Sequence, residues 1–260
     1  MMRQIVPIVS GKGGVGKSTV AVNLAVALAK TGAKVALIDG DFYGPSIPTM
    51  LGGGQIKVDS EERLIAAEKY GVKFVSIGFF LGNPDDPIIW RGPMFNKALK
   101  QLFEDVNWGV VDYCLVDMPP GTGDAQISLC QMVPLAGAVV VTTPQEVALA
   151  DVRKSINMLK KVNVDVLGIV ENMSGFVTPD GQTYDIFGTG GGADLANKLN
   201  IPLLASIPLD PAIRVGSDEG KPLAYDSNQK SAEIFNQMAL KLIAILDNKL
   251  VSRQDVKIIV

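Results

Sequence analysis

The sequence contains no histidine, so imidazole is excluded from any catalytic or metal-binding site. It has only two cysteines among 260 residues, Cys114 and Cys130, which is too few for a disulfide framework. Positive charge is not in excess, because the formal net charge is −3, whereas a general nucleic-acid surface needs clustered lysine and arginine. The N-terminus has no basic-then-apolar leader, and no apolar run reaches membrane-spanning length. We therefore expect a cytoplasmic protein that binds neither nucleic acid nor membrane.

Short apolar runs alternate with stretches long enough for helices. Continuous apolar runs are typical of parallel strands buried on both faces, and their alternation with helices predicts βαβ units. The predicted strands are 5–9, 35–38, 74–77, 113–116, 137–141, 166–170 and 203–207, and the predicted helices are 20–30, 96–105, 126–133, 149–162 and 192–199. The sequence therefore predicts an α/β fold with a doubly wound, mostly parallel sheet and helices on both faces.

One further helical pattern lies near the end of the chain, over about residues 231–248. It places Phe235, Met238 and Leu242 on one side, and such an apolar stripe is typical of a helix docked on a core. The sequence has no repeat and no long linker. We therefore expect a single domain over residues 1–260, closed by a docked C-terminal helix and a short tail.

The segment SGKGGVGKST, residues 10–19, is rich in glycine and carries two lysines. The phosphate-loop pattern G-x-x-x-x-G-K-[ST] is matched by Gly11, Gly16, Lys17 and Ser18. The matching segment lies between a predicted strand and a predicted helix, as the motif requires. Backbone N–H groups of such a loop, together with the N-terminus of the following helix, favour phosphate. The predicted nucleotide-binding residues are Gly11, Lys12, Gly13, Gly14, Val15, Gly16, Lys17, Ser18 and Thr19.

Carboxylates follow two of the predicted strands. Asp39 and Asp41 come after the strand at 35–38, and Asp117 follows the strand at 113–116. A nucleotide triphosphate brings Mg²⁺, which takes hard oxygen ligands. Ser18 is the predicted direct ligand, Asp39 and Asp117 are predicted to support the metal, and Asp41 is predicted to hold the attacking water beside it. The alternative is that strand-end aspartates only cap turns or helices.

Two further loop features suggest parts of a nucleotide switch. Gly121 and Gly123, in PPGTGD, give a backbone that can approach a γ-phosphate and rearrange when it leaves, although a rigid Pro–Pro turn also fits. Lys12 is surplus to the phosphate-loop pattern. A cation supplied from a second subunit stabilises charge in phosphoryl transfer, and the alternative for Lys12 is an ordinary solvated lysine.

The string GKGGVGKST resembles the deviant Walker A loop of the group that contains MinD, ParA, ArsA and the nitrogenase iron protein. In that group the first lysine, which Lys12 matches, acts across a dimer interface. Further matching strings are DGDFYGPSIP at 39–48, IIWRGPM at 88–94, DYCLVDMPPGTGD at 112–124, ENMSGF at 171–176 and IFGTGGG at 186–192. Together they resemble the Mrp-type (ApbC-like) ATPases, which are implicated in carrying and delivering iron–sulfur clusters.

The resemblance implies a homodimer with ATP and Mg²⁺ at its interface, slow ATP hydrolysis, and apo iron–sulfur proteins or assembly proteins as partners. It also implies that Lys12, Lys17 and Asp41 are catalytic. Asn172 matches the asparagine that reads the adenine edge, and Pro208 and Asp210 would flank the ring. From the sequence alone, Asn172 could instead be an ordinary turn residue at a strand end.

The sequence departs from this family where many members carry a C-P-x-C pair. Here the segment reads FVTPDGQTYDIFG, with Thr178 and the pair Asp180-Gly181 where thiolates would be expected. Cys114 lies in a predicted strand and Cys130 in a predicted helix, where small buried apolar roles are expected. A cluster is therefore implied by the resemblance alone.

One competing function is that of a MinD- or ParA-like spatial organiser, which binds membrane or DNA in its ATP state, and another is that of an ATP-driven ligase or reductase on the same scaffold. The tail NKLVSRQDVKIIV has few positive charges for an amphipathic membrane helix, and the composition argues against a basic DNA surface.

Overall fold

A computed structural model describes residues 1–80, 92–178, 180–226 and 230–255. Residues 88–91 of the string IIWRGPM, Pro179 and the last five residues of the tail lie outside these ranges. The strands are β1 (Met2–Ser10), β2 (Val35–Asp39), β3 (Lys57–Val58), β4 (Leu64–Ile65), β5 (Ala67–Lys69), β6 (Val72–Ser76), β7 (Val111–Asp117), β8 (Ala138–Thr142), β9 (Val166–Asn172), β10 (Phe176–Val177), β11 (Thr183–Tyr184) and β12 (Leu203–Ile207). The α-helices are α1 (Lys17–Lys30), α2 (Ile47–Met50), α3 (Gly92–Glu104), α4 (Asp124–Met132), α5 (Glu146–Lys161), α6 (Gly191–Leu199), α7 (Pro211–Asp218) and α8 (Lys230–Asp255), with 3₁₀ turns at Ile77–Phe80 and Leu223–Tyr225.

The main sheet has eight strands in the order β12-β9-β8-β1-β7-β2-β6-β5. All neighbouring pairs are parallel except β5 with β6. This arrangement confirms the predicted doubly wound, mostly parallel fold, with every predicted strand present. The pattern did not predict β5, because that strand has only three residues and two of them are the exposed Glu68 and Lys69.

Two cores pack on opposite faces of the sheet, since successive residues of a strand point to opposite sides. On β1, Val6 and Ile8 join the core that includes α1 and α8, whereas Ile5 and Val9 join the core that includes α3, α5 and α6. In α8, Phe235, Met238 and Leu242 are buried in the first core. Helix α1 lies between α8 and the sheet, and ten of its fourteen residues are buried.

Parallel pairing brings the carboxyl ends of neighbouring strands to one edge of the sheet, where ligands bind in folds of this type. Asp39 is opposite Asp117 in the register of β2 with β7, and Ile8 is opposite Asp117 in the register of β1 with β7. Farther along the same edge, Asn172 is opposite Ile207. The segments singled out from the sequence therefore meet at one place.

Candidate nucleotide site

The phosphate loop follows β1 and runs directly into α1. Gly16 is the N-cap of α1 in a left-handed conformation (φ +83), and a Cβ there would lie 2.2 Å from Asn172 Nδ2. A Cβ on Gly11 would lie 2.4 Å from the backbone carbon of Asp151 in α5. Both glycines of the motif are thus required by close packing. Because Gly16 has no side chain to cap the helix, the first N–H groups of α1 are left available for an anion.

The loop surrounds a small cavity of about 190 Å³. The lining residues are Ser10, Lys12, Gly13, Gly14, Gly16, Lys17, Ser18, Thr19, Asp41, Ser46, Met50 and Pro120. Ser46, Met50 and Pro120 were not identified from the sequence. Met50 belongs to α2, a four-residue helix that is too short to give a periodic signal, whereas Pro120 lies within the PPGTG string already noted.

Lys17 brings the predicted catalytic and metal-binding residues together. Its buried ammonium lies 2.7 Å from Asp117 Oδ1, 3.3 Å from Asp41 Oδ2 and 3.4 Å from Ser18 Oγ. A buried charge is strongly destabilising unless it is paired and hydrogen-bonded. The two carboxylates therefore neutralise Lys17, and a phosphate that entered the cavity would compete with them for the ammonium.

Asp117 is fully buried, and burial raises the pKa of its carboxyl group while the Lys17 ammonium opposes that effect. Its Oδ2 atom has no hydrogen-bond partner among the described residues. Such an atom calls for a partner such as a metal ion or water. With Ser18 Oγ and Asp41 close by, the donors are hard oxygens, and one or two carboxylates plus a hydroxyl suit Mg²⁺.

Asp39 is also fully buried, but its carboxylate contacts other groups. Oδ2 accepts hydrogen bonds from Ser76 Oγ at 2.9 Å and from the Ile47 N–H at 3.3 Å, and Oδ1 accepts one from the Asp41 N–H at 3.4 Å. Burial, followed by the negative charge of Asp117, raises the pKa of Asp39 to about 8. These contacts place Asp39 beneath the turn from β2 to α2. Asp39 and Asp41 are therefore two residues apart yet face different partners, and support of a metal by Asp39 stays a prediction.

The PPGTG loop lies against the phosphate loop. Gly121, at φ +94, donates its N–H to Ser10 O at 2.9 Å. Gln126 in α4 donates to Pro119 O at 3.0 Å, and its buried Oε1 has no partner among the described residues. Gln126 was not singled out from the sequence, because a glutamine early in a helix carries no distinct signal.

Lys12 lies at the rim of the cavity and is half-buried. Its carbonyl oxygen accepts a hydrogen bond from Ser10 Oγ at 3.0 Å. Within the parts of the chain that the structure describes, its ammonium forms no ion pair. The action of Lys12 on the nucleotide of a second subunit stays a prediction.

The residues predicted to hold the base contact other groups of the protein in this structure. Asn172 is buried and donates from Nδ2 to Val15 O at 2.9 Å, which ties β9 to the phosphate loop. Asp210 caps α7 by accepting from the Ala212 N–H at 2.8 Å, and it also accepts from Ser231 Oγ at 2.5 Å. Pro208 is partly exposed just beyond β12. Adenine recognition by these three residues stays a prediction.

Neither cysteine is placed as a ready metal ligand. Cys114 is fully buried in β7 and Cys130 is half-buried in α4, and burial raises the pKa of both thiols. The segment that replaces the family's cysteine pair forms the hairpin β10–β11, whose turn is held by polar contacts of Asp180 with Thr178 and Gln182. Among the described residues, no group of three or more Cys, Asp or Glu side chains could hold a metal ion.

No helix in the described part of the chain is long and apolar enough to cross a membrane.

A glycine loop between β1 and α1, a buried lysine within it and a carboxylate at the end of the neighbouring strand define the class of protein, a P-loop NTPase. The comparisons with known proteins agree. A family model described as ParA, NUBPL iron-transfer P-loop NTPase, matches residues 1–243. The chain therefore belongs to the NUBPL iron-transfer P-loop NTPase family, which confirms the resemblance stated from the sequence.

Curated relatives are also highly similar. The iron–sulfur cluster carrier protein of Aquifex aeolicus is 50% identical over 95% of this chain and 69% of that protein. The iron–sulfur cluster carrier protein of Synechocystis is 52% identical over 89% of this chain and 67% of that protein. The chain thus spans about two thirds of the length of these relatives.

Solved structures match the same fold. A nucleotide-binding protein from Archaeoglobus fulgidus in complex with ADP superimposes with a TM-score of 0.77 at 39% identity, over 90% of this chain and 92% of that one. The cell division ATPase MinD of Pyrococcus furiosus superimposes with a TM-score of 0.70 at 28% identity, over 93% and 99%.

Proposed function

We propose that the protein is a Mg²⁺-dependent ATPase that uses ATP binding and slow hydrolysis to deliver iron–sulfur clusters to apoproteins or to assist their assembly. The observation that supports nucleotide binding is the cavity at Lys17, where the ammonium is paired with Asp117 and Asp41. Support for the carrier half comes from the curated relatives, which are named as cluster carriers.

The phosphates of ATP would replace the two carboxylates as partners of Lys17. The β- and γ-phosphates bind the N–H groups of residues 13–19, and Lys17 moves onto them because a phosphate carries more negative charge than either aspartate. This would release Asp117 and Asp41, which together with Ser18 would be the residues that hold Mg²⁺. When bound there, Mg²⁺ would supply charge neutralisation on the phosphate oxygens.

Asp41 is the group that positions the attacking water, because its carboxylate lines the cavity and is freed when Lys17 moves. Lys12 acts on the nucleotide of a second subunit, where it stabilises the charge that develops on the transferred phosphoryl group. The active form is therefore a homodimer with nucleotide at the interface. Asn172, Pro208 and Asp210 contact the base after their present contacts rearrange.

The cluster is cargo rather than a resident group. The cysteine positions support only weak binding, with ligands completed by a partner protein or a small thiol. The clients are apo iron–sulfur proteins, and the protein works with them as an ATPase accessory rather than as an autonomous carrier.

Anaerobic cluster transfer to an apo [4Fe–4S] enzyme tests this function, with recovered acceptor activity as the readout. The reaction contains iron, sulfide and a small thiol, with MgATP, without nucleotide, or with the Lys17→Ala variant. We expect transfer to be fastest with MgATP and to fall to the nucleotide-free rate in Lys17→Ala. Equal rates in all three would refute a role for the ATP site in delivery.

A MinD- or ParA-like organiser is the alternative, and sedimentation with liposomes or DNA distinguishes it from a cluster carrier. We expect the protein to remain in the supernatant with and without MgATP. ATP-dependent pelleting with either partner would favour the organiser. The family match and the named curated relatives favour the carrier.

A further inference from the structure

Glu171 is a fully buried carboxylate at the end of β9 that takes no part in the nucleotide cavity. It accepts hydrogen bonds from the Gly190 N–H at 2.9 Å, from the Gly192 N–H and from Ser174 Oγ. Gly190 and Gly192 stand at the N-terminus of α6, whose first N–H groups need acceptors. Glu171 therefore acts as an internal anion for the glycine loop at 188–192.

The next residue of β9, Asn172, contacts a different part of the protein. It donates to Val15 O at 2.9 Å, within the phosphate loop. Adjacent residues of a strand point to opposite faces, so the two side chains reach in opposite directions from one short piece of backbone. The phosphate loop and the glycine loop at 188–192 are thus anchored to neighbouring residues.

The hairpin β10–β11 begins a few residues after β9 and ends a few residues before the glycine loop at 188–192. Met173 follows Asn172 in a left-handed conformation (φ +57), which is strained for a residue other than glycine. Ser174 donates its N–H to Ile207 O at 2.9 Å, and Gly175 donates to Gly188 O at 3.3 Å. The entry of the hairpin is therefore bound both to the end of β12 and to the loop at 188–192 that Glu171 binds.

The hairpin and the loop after it present apolar side chains to solvent. Val177, Tyr184 and Ile186 are 56%, 51% and 55% exposed. Their position depends on the two ends of the hairpin, because β10 and β11 have only two residues each. A small shift at Glu171 would reposition this surface.

We propose that Glu171 is a positioning residue that couples occupancy of the phosphate loop to the conformation of the hairpin. The inference rests on the proposed binding of ATP at that loop. Phosphate binding draws the loop N–H groups towards the anion and shifts the Val15 carbonyl. Asn172 then exchanges Val15 O for the base edge, because a buried donor is costly to leave unpaired. Glu171 then moves with the backbone and carries the 188–192 loop and the hairpin with it.

Hydrogen–deuterium exchange of residues 173–190 tests the coupling, with and without a non-hydrolysable ATP analogue and Mg²⁺. In the native protein we expect the analogue to change exchange in this segment by about tenfold, a local opening effect. In Glu171→Gln the charge is removed at constant shape, and we expect the analogue-dependent difference to vanish while analogue affinity stays within about threefold. The matched control is Glu146→Gln, an equal charge change at an exposed residue of α5, which should behave as native.

The nucleotide-dependent difference is the decisive readout, because a purely structural role would alter exchange equally with and without analogue. Glu171→Gln with a native difference overturns the proposal. If that variant does not fold, Ser174→Ala removes a single donor to Glu171; a reduced difference at native affinity supports the coupling, and a native difference overturns it. Failure of the native protein to bind the analogue would instead refute the proposed function. Analogue binding without any hairpin response would refute the coupling alone.

Discussion

Lys17 is the residue on which the charge balance of the site depends. Its ammonium and the Asp117 carboxylate are both buried, and each is tolerated only because the other lies 2.7 Å away. The charges of the site are therefore balanced by its own side chains. The same pairing leaves Asp117 Oδ2 without a hydrogen-bond partner among the described residues. One buried oxygen atom of the site is thus not hydrogen-bonded, although the charges are balanced.

The buried carboxyl group of Asp39 should make the free energy of unfolding depend on pH, and its burial sets the sign of that dependence. Its pKa rises from 3.8 to about 8 in the folded protein, so between these values the unfolded chain ionises while the native group stays protonated. The free energy of unfolding should therefore fall as pH rises through that window and level off above it. In Asp39→Asn this contribution disappears, because asparagine does not titrate.

Urea unfolding of the metal-free and nucleotide-free protein, measured from pH 4 to pH 9, checks this prediction. The difference between native and Asp39→Asn stabilities should decline as pH rises from about 4 to about 8. Two parallel curves would mean that Asp39 is not held in its neutral form.

Asp41 should control hydrolysis rather than binding. Asparagine preserves its shape but removes the charge that positions the attacking water, so Asp41→Asn should lower kcat by about 10²–10⁴-fold and accumulate the ATP-bound form. Phosphate release and retained ATP measure the two effects. The control is Asp218→Asn, at an exposed residue paired with Arg214. A native rate in Asp41→Asn would place the positioning group elsewhere.

At the scale of elements, the connection after α2 packs against the end of α7. The two backbones meet at Gly52 and Gly220, where a Cβ on Gly220 would lie 2.1 Å from Gly52 Cα. Tyr70 Oη also donates to Gly220 O at 2.7 Å. Because Met50 lines the nucleotide cavity, this contact fixes one wall of the site from a distance.

Two glycine-to-alanine variants separate packing from backbone strain at this contact. Gly53, with φ +82, has open space around its Cβ position, so Gly53→Ala should cost only the left-handed penalty of about 1–2 kcal/mol. Gly220→Ala, with φ +68, should cost about 1–3 kcal/mol more, because the Gly52 backbone must move. Equal losses of unfolding free energy in the two variants, measured with denaturant, would show that the contact between Gly52 and Gly220 is less tight than in the structure.

Elements with a strong local pattern could be predicted, and those fixed by tertiary contacts could not. The buried strands were predictable because both faces are covered, which gives runs such as Val139, Val140 and Val141 in β8. The strand β5 and the hairpins carry mixed, exposed residues, so their pairing comes from neighbouring segments rather than from their own sequence. The contacts of Asp39 and Glu171 could not be predicted either, because their hydrogen-bond partners lie on other elements.

At the site, the phosphate-loop motif predicted the loop with Lys17 and Ser18 because its spacing is fixed, whereas Asp41 and Asp117 were predicted from their positions at the ends of strands. The structure shows in addition where each side chain points, and the carboxylates of Asp39 and Asp41 point to different partners. It also places the Asn172 amide on the phosphate loop backbone. A sequence cannot show such an orientation, because it depends on the pairing that ends β9 one residue beyond β8 and level with the end of β12.

For the whole molecule, the proposed function is that of a nucleotide switch, and the described residues contain no cage of thiolates for a cluster. Both thiols have raised pKa values, which disfavours the thiolate form that iron needs. Anaerobic reconstitution with iron and sulfide should therefore yield well under one stable cluster per two chains. Iron analysis and visible spectroscopy measure the yield. A stoichiometric, chelator-resistant cluster that is lost in Cys130→Ser would place the cluster site in α4.

The most direct test of the central claim, that Lys17 holds the nucleotide and Lys12 acts only in turnover, is calorimetric titration of ATP with Mg²⁺ into three proteins. We predict saturable binding to the native protein, no measurable binding to Lys17→Ala, and near-native binding to Lys12→Ala with loss of turnover. Removal of Lys12 should act on kcat, because a contact made only in the transition state leaves ground-state binding unchanged. Unaltered ATP affinity in Lys17→Ala would contradict the account.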